Sequence, residues 1–569
     1  MDGSNEGHRG VVPPRISAFV LAGALVAYFA AFALLTYPAI CDFSARFFVD
    51  RGDGFQNIWN IWWLSKAVRT GVNPWFTPYL HYPSGTTLVA HTLNPFNGFI
   101  AIPLVPFVGM VRAVNAIVVF SFVAGGVTAC TLAYRITGDA LASFVAGFVF
   151  TFCNYHFAHA EGHLNLVSLE WIPLFLLSFW ELLERPSSLK GLGAAFALGL
   201  VALCDYYYLL YCVLSGAILL VVRFAPRRAW TALAHRHHLQ TLAIFAAASC
   251  VFVVPLVWGV LALSRHETLI GAHDPLEFSM DLLSPVVPGG HWRFARLTAS
   301  FWSRLPGNIH ESSVDQGISV LALAGIALWR RPADARAWLP WAAITSVFAL
   351  LSFGPRLQVA GRMSQIPMPY AALAHVLPPL RLSGCPVRMA VMVSLGLGIL
   401  AGQGLRCMLR RGASLGAIAV GVGLAALLVV EYLPAPIPRT SPQVPGFVAA
   451  LRDAPKSGGL IDVGAAMGPT AALYYQTIHE IPMVSGYLSR VPKSVADSTA
   501  ALERIAKQGR SRELCERYGI RYFVFRASTL VAGDFAGAYP WFSNSGLKFY
   551  DAGRLWSCGS LRTSATSTR

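Results

Sequence analysis

The feature that most constrains this chain is the repeated occurrence of charge-free apolar runs of bilayer-spanning length. A crossing helix needs roughly 20 mostly apolar residues, and residues 16–40 supply such a run without an internal charge. Further runs occupy residues 114–134, 141–155, 166–183, 192–203, 207–222, 242–263, 318–329, 338–353, 389–404 and 415–430. They predict a mainly α fold, a polytopic bundle of about eleven transmembrane helices. Composition agrees: of 569 residues 55% are hydrophobic and only 13% charged, which excludes an ordinary water-soluble domain. The first run is too long for the apolar core of a cleaved signal, and no clear small-x-small site follows it, so it reads as a retained helix.

A net charge of +16 would suit a nucleic-acid binder, but the positions of the basic residues argue against one. Arg9 and Arg15 precede the first run and Arg135 follows the second; Arg185 and Lys190 follow the fourth. Arg223, Arg227, Arg228 and Arg236 follow the sixth, Arg330, Arg331 and Arg336 the eighth, and Arg406, Arg410 and Arg411 the tenth. Basic residues on alternate connections mark the cytoplasmic side, which predicts a cytoplasmic N-terminus, membrane lipids as surroundings and no nucleic-acid partner. Residues 94–110 are apolar but interrupted by Pro95, Pro103 and Pro106. Counting them as a crossing would invert every later loop, so they are expected to form an interfacial or re-entrant piece.

The opposite face then receives residues 41–112, 264–317 and 355–388, and everything after Glu431. From Pro434 the pattern changes to strand-like 460–463, helix-like 467–478 and 495–508, strand-like 521–526 and a closing hairpin over 547–558. The expected organisation is a membrane domain over 1–433, with a large first outside loop at 41–112, and an extracytoplasmic α/β domain over 434–569. In an oxidising compartment Cys515 and Cys558 are candidates for a disulfide. Cys130, Cys153, Cys204, Cys212, Cys250 and Cys407 lie in apolar stretches and read as small buried hydrophobes.

The first outside loop carries an acidic turn, Asp50-Arg51-Gly52-Asp53, leading into a helix with Trp59, Trp62, Trp63 and Lys66. Two carboxylates at this spacing can supply a general base for an acceptor hydroxyl or bind a divalent cation such as Mg or Mn. The plainer reading makes Asp53 a helix N-cap and leaves Asp50 in solvent. The tryptophans suit a helix lying at the membrane interface.

A second polar cluster, His156, His159, Glu161, His163, Asn165 and Glu170, sits between two apolar runs. It can line a polar cavity or, if helical, offer metal ligands, although Gly162 interrupts it. Glu170, just inside the following run, is expected to face that cavity. The segment 378–388 presents Arg381 and Arg388 in a proline-stiffened loop, suited either to a phosphate or to snorkelling toward headgroups. Asp274, Glu277, Asp281, His291, Arg293, His310, Glu311 and Asp315 show no recognisable spacing and are expected to be mostly solvated.

The segments GDGFQNIWNIWW, YPSGTTLVAHTLNPFNG, FAHAEGHLNLVSLEWIPLFLL, LPPLRLSGCPVRMAVM and YYQTIHEIPMVSGYLSR resemble those of bacterial polytopic membrane glycosyltransferases of the GT-C superfamily. The resemblance spans residues 45–490. It implies transfer of a sugar from a polyprenyl-phosphate donor to a glycan, lipid or protein acceptor at the outer face of the bacterial cytoplasmic membrane, with the C-terminal domain periplasmic or extracellular. In that superfamily an acid of the first outside loop is the base; the match falls on Asp53, with Asp50 as a second carboxylate. Many members carry Asp-x-Asp or adjacent acids, whereas the spacing here is Asp-x-x-Asp, which leaves the pairing and any metal open. Within this picture Arg381 or Arg388 meets the leaving phosphate, and His91, His159, His163, Asn165 and Glu170 are expected to bind substrate. Tyr475, Gln476, His479, Tyr487 and Arg490 either line the cavity or support the fold. The tryptophans either stack on sugar or anchor the helix. Two other classes compete: a transporter or lipid flippase of envelope glycans, and a non-catalytic envelope assembly protein. A transporter more often shows repeated, interrupted helices in matching halves, which this sequence lacks.

Overall fold

The computed structural model describes residues 16–225, 235–331, 335–377, 380, 384–409, 414–531, 533–544 and 546–559. Arg9, Arg15, Arg227, Arg228, Arg381, Arg410, Arg411 and the side chain of Arg336 lie outside the described residues. Every apolar run falls on helix. In chain order these are α1 (Ala18–Leu35), α2 (Asp53–Thr70), α3 (Pro95–Thr137), α4 (Ala140–Thr151), α5 (Asn154–Ala160), α6 (Leu164–Val167), α7 (Trp171–Glu184), α8 (Ser188–Cys204) and α9 (Tyr206–Phe224). They are followed by Arg236–His266, Ile318–Arg330, Leu339–Ser352, Ala390–Met408 and Leu415–Glu431.

Among the described residues six helical stretches are long and apolar enough to cross a membrane: α1, α3, Leu164–Glu184, α9, Arg236–His266 and Pro386–Met408. The pair α4 and α5, bent by 43°, makes a seventh when counted as one broken span and is otherwise a re-entrant loop. Four shorter apolar helices complete the set: α8, Ile318–Arg330, Leu339–Ser352 and Leu415–Glu431. The chain is a multi-pass membrane protein.

The bundle centres on Ala390–Met408, buried from Ala390 to Leu405. Its Gly398 and Gly402 lie against the backbone oxygens of Ala146 and Ala142 in α4, so a Cβ at either position would collide with that helix. Small residues permit this close approach where lipid removes the usual hydrophobic drive for helix association. Glu431, ending Leu415–Glu431, reaches across to Ile318–Arg330 and accepts from the backbone N–H of Ile318 at 2.7 Å and of Ser319 at 3.1 Å. It does so because the N-cap there is Gly317, which has no side chain.

The stretch expected to be interfacial is helical from Pro95, with Asn94 accepting from Asn97 N–H. The break comes at Gly109 (φ 81°, ψ 163°) rather than at Pro103 or Pro106. Gly98 abuts the Leu64 side chain, which brings this piece tightly against α2.

The C-terminal part contains a four-stranded sheet in the order Gly459–Asp462, Ile520–Arg526, Leu547–Asp551, Phe542–Ser543. The first pair is parallel and the others antiparallel. The hairpin expected over 547–558 is not formed. Leu547–Asp551 pairs instead with Ile520–Arg526 and Phe542–Ser543, and the chain then turns into a short 3₁₀ stretch, Ala552–Arg554. Cys558 is disulfide-bonded to Cys515.

The tryptophans of α2 are not interfacial anchors. Trp59, Trp62 and Trp63 are buried in one core with Phe447, Leu451, Leu460, Leu473 and Phe549 of the C-terminal part. Trp59 donates to Gln476 Oε1 at 2.6 Å, and Lys66 pairs with Glu480 at 2.7 Å. The amphipathic pattern was therefore answered by protein rather than by lipid, and the first outside loop shares a core with the region after 434.

Candidate active site

The acidic turn is built by its own backbone. Asp50 Oδ1 accepts from Gly52 N–H at 3.0 Å and Gly54 N–H at 2.8 Å, so Asp50, not Asp53, caps the start of α2. Asp50 is neither solvated nor free. Burial, with the charges of Asp53 and Glu161, pushes its carboxyl above its ordinary value, against the pull of the Gly54 and Gly52 amides.

Asp53 is the first residue of α2, its N-cap being Gly52, and its side chain remains 30% exposed. Asp53 Oδ2 lies 3.0 Å from His163 Nε2. Burial works to raise its pKa, but the hydrogen bond and charge of His163, the Tyr487 hydroxyl and the charge of His310 outweigh it. The net shift is downward, keeping Asp53 ionised. Tyr487 is itself pushed up to about 12 by burial and by Asp53. The Tyr487 carbonyl accepts from Gln56 of α2 at 2.8 Å.

His163 reaches this position because α5 ends at Ala160 and the chain folds through Glu161 and Gly162 before α6. A Cβ on Gly162 would stand 3.1 Å from Asp53 Cβ and 3.3 Å from Asp50 Oδ1, so the turn needs glycine for close approach. Asn57 of α2 donates to the Gly162 carbonyl at 2.7 Å, and Asp50 N–H to the Glu161 carbonyl at 2.6 Å, locking the two turns together.

Behind His163 a polar chain runs into the protein. His163 Nδ1 is 3.2 Å from His159 Nδ1, His159 Nε2 is 3.8 Å from Glu311 Oε2, and Glu311 Oε1 accepts from Arg388 Nε at 2.9 Å and Nη2 at 2.6 Å. Arg388 is buried over the Tyr207 ring and does not snorkel to headgroups. Burial works to raise the Glu311 carboxyl, but the charge and hydrogen bonds of Arg388 outweigh it and hold it below its ordinary value. Arg490 donates to the Gly271 and Ser489 carbonyls, and its charge and that of Arg388 both act on His273.

Other expected site residues are hydrogen-bonded to neighbouring parts of the protein. His156 lies between the carbonyls of Thr151 (2.7 Å) and Val167 (2.9 Å), which removes it from any metal set with its neighbours. Asn165 donates to Asp205, whose other oxygen accepts from Tyr207 N–H at the start of α9. Glu170 accepts from Ser121 of α3 at 2.7 Å, a contact inside the bundle. His91 joins Asn60 of α2 to Ser489 through both ring nitrogens, and burial pushes its pKa down to about 3. Gln476 Nε2 donates to the carbonyls of Tyr79 and Ile481, and His479 Nδ1 accepts from Ile481 N–H. Tyr475 lines a cleft of about 270 Å³ with Arg51, Phe55, Ser441, Gln443 and Tyr474, beside the acidic turn.

The expectation that the charged residues of 264–317 are mostly solvated holds for Asp274, Glu277 and Arg293, which are exposed, and fails for the rest. Asp281, His291, Glu311 and Asp315 are buried, and His310 stacks edge-on to His163 with ring centroids 5.5 Å apart. Asp281 and Asp315 accept from loop amides and from Asn154. The available clue was position: His310, Glu311 and Asp315 crowd the start of an apolar run, as His156 to Glu170 do.

Among curated proteins none matches the chain. Solved structures do. A mutant form of the arabinofuranosyltransferase AftD from Mycobacteria superposes with a TM-score of 0.57 at 15% identity, over 91% of this chain and 37% of that one. This chain thus spans well under half the length of AftD. ArnT from Cupriavidus metallidurans bound to undecaprenyl phosphate aligns at 14% identity and a TM-score of 0.48, covering 93% of this chain and 97% of that one. The chain shares its fold with the matched part of the arabinofuranosyltransferase. A family model described as a domain of unknown function, DUF6311, matches residues 24–431, and the chain belongs to that family.

Proposed function

We propose that this protein is a glycosyltransferase that moves a sugar from a polyprenyl-phosphate donor to an acceptor hydroxyl, with Asp53 as the base. Its setting would be a bacterial cytoplasmic membrane, with about eleven crossings, a cytoplasmic N-terminus and the C-terminal part outside. The observation that carries this reading is the partly exposed Asp53 carboxylate 3.0 Å from His163. It stands where the first loop, the α5–α6 turn and the C-terminal segment meet, on a fold shared with an arabinofuranosyltransferase.

In this reading Asp53 takes the acceptor proton as the hydroxyl oxygen attacks the anomeric carbon, and the sugar–phosphate bond breaks with its electron pair leaving on the lipid phosphate. A carboxylate held low in pKa is a weak base, but it is always ionised at neutral pH. Positive potential for the leaving phosphate comes from Arg388 and Arg490, the first moderated by Glu311. The cleft of Arg51 and Tyr475 supplies a cationic donor and an aromatic face for an acceptor glycan.

The test is Asp53→Asn assayed for consumption of polyprenyl-phosphate sugar in membranes, where loss of transfer is expected. Transfer at the wild-type rate would remove Asp53 as base. No consumption by wild-type membranes across donors would remove the transferase reading itself.

A further inference from the structure

We propose that Glu161, His291 and His310 form a binding site for one divalent transition-metal ion of the zinc class. Each offers one ligand atom, and the three atoms lie within 4.8 Å of one another. Glu161 Oε2 is 3.3 Å from His291 Nε2, and the two imidazoles stack with centroids 4.9 Å apart. Ligands at about 2.0–2.1 Å from a tetrahedral ion stand roughly 3.3 Å from one another. The first pair already meets that spacing, and a small rotation of His310 brings in the third.

The nitrogens not needed for coordination are already engaged. His310 Nδ1 lies 3.1 Å from the Ala158 carbonyl, which can only accept, so Nδ1 carries the proton and Nε2 presents its lone pair. His291 Nδ1 lies 2.9 Å from Ser313 Oγ, leaving Nε2 toward Glu161. Such outer partners fix ring orientation and tautomer at metal centres. Glu161 comes from the end of α5 and both histidines from the second outside loop, so the ion would tie that loop to the turn that carries His163.

Two imidazoles and one carboxylate suit zinc rather than magnesium, which favours all-oxygen sets. They also leave a fourth position for water or a substrate oxygen. The alternative is a metal-free Glu161–His291 pair with His310 stacked on it.

Full-length protein, purified and stripped with chelator, is titrated with Zn2+ and separately with Cu2+. One ion per chain is expected, and pulsed EPR of the Cu2+ form should show nitrogen couplings from two imidazoles, a readout that needs no variant. Glu161→Gln and His310→Gln should each weaken Zn2+ binding at least about tenfold. Absence of stoichiometric binding, absence of imidazole coupling, or unchanged affinity in both variants overturns the site. Binding is read without turnover, and Asp53→Asn should still take up the ion. The metal site and the transferase reading can therefore fail separately.

Discussion

His163 Nε2 lies 3.0 Å from Asp53 Oδ2, joining the turn after α5 to the first residue of α2. His163 is the largest of the influences that lower the Asp53 pKa, and burial is the influence opposing it.

The sign of the pH response follows. On the proposed reading Asp53 acts as base only when ionised, so activity is present above its folded-state pKa and lost as pH falls through it. In the wild type that loss lies below the ordinary carboxylate range. His163→Ala removes the lowering partner and leaves burial, so the acid limb of kcat/KM should move to higher pH. A limb that stays in place would show that Asp53 does not titrate in the rate. A limb that moves to lower pH would contradict the electrostatic balance.

Gly162→Ala tests the fit between the two turns. The new methyl would meet Asp53 Cβ at 3.1 Å and Asp50 Oδ1 at 3.3 Å, forcing the acidic turn outward by a few tenths of an ångström. If Asp53 is the base, a displacement on this scale should lower kcat by up to about tenfold. Gly162 is buried between the two turns, so the midpoint of thermal unfolding in detergent should also fall, and kcat is compared well below that midpoint.

The helices were legible because charge-free runs leave no alternative in a bilayer, and the acidic turn because two carboxylates beside glycines stand out against so apolar a chain. The structure brings Asp53, His163 and Tyr487 together. What could not be read was which polar residues are engaged by their neighbours. In sequence Gln476 and His479 could either line a cavity or support the fold, and the contacts they close with Trp59, Tyr79 and Ile481 depend on a core assembled from distant segments. Glu311 and His291 were discounted because burial of a loop depends on what packs over it, and local pattern carries no record of that.

Glu431→Ala should destabilise the bundle without touching the acidic turn. The amides of Ile318 and Ser319 lose their acceptor at a helix start whose N-cap is glycine, and the negative charge favourable at that end is lost. The expected cost is about 2 kcal/mol, within the range for unsatisfied buried donors. Glu431→Gln keeps an acceptor oxygen and should lose roughly half as much, read from unfolding midpoints in detergent.

Arg388 and Glu311 form a buried, two-bonded pair, so single and double substitutions should separate structure from chemistry. Arg388→Met strands an ionised Glu311 in the interior, and Glu311→Gln leaves the guanidinium without its counter-charge. Breaking such a pair from one side costs about 3–5 kcal/mol, whereas replacing both partners with apolar residues is often close to neutral. Arg388→Met should therefore unfold at lower temperature, and Arg388→Met combined with Glu311→Leu should recover much of the loss. If the Arg388 field assists departure of the lipid phosphate, the recovered double variant will still transfer sugar slowly, with kcat reduced at saturating acceptor. A double variant that is both stable and fully active would assign the pair to folding alone and shift the phosphate role to other cations, Arg490 among them.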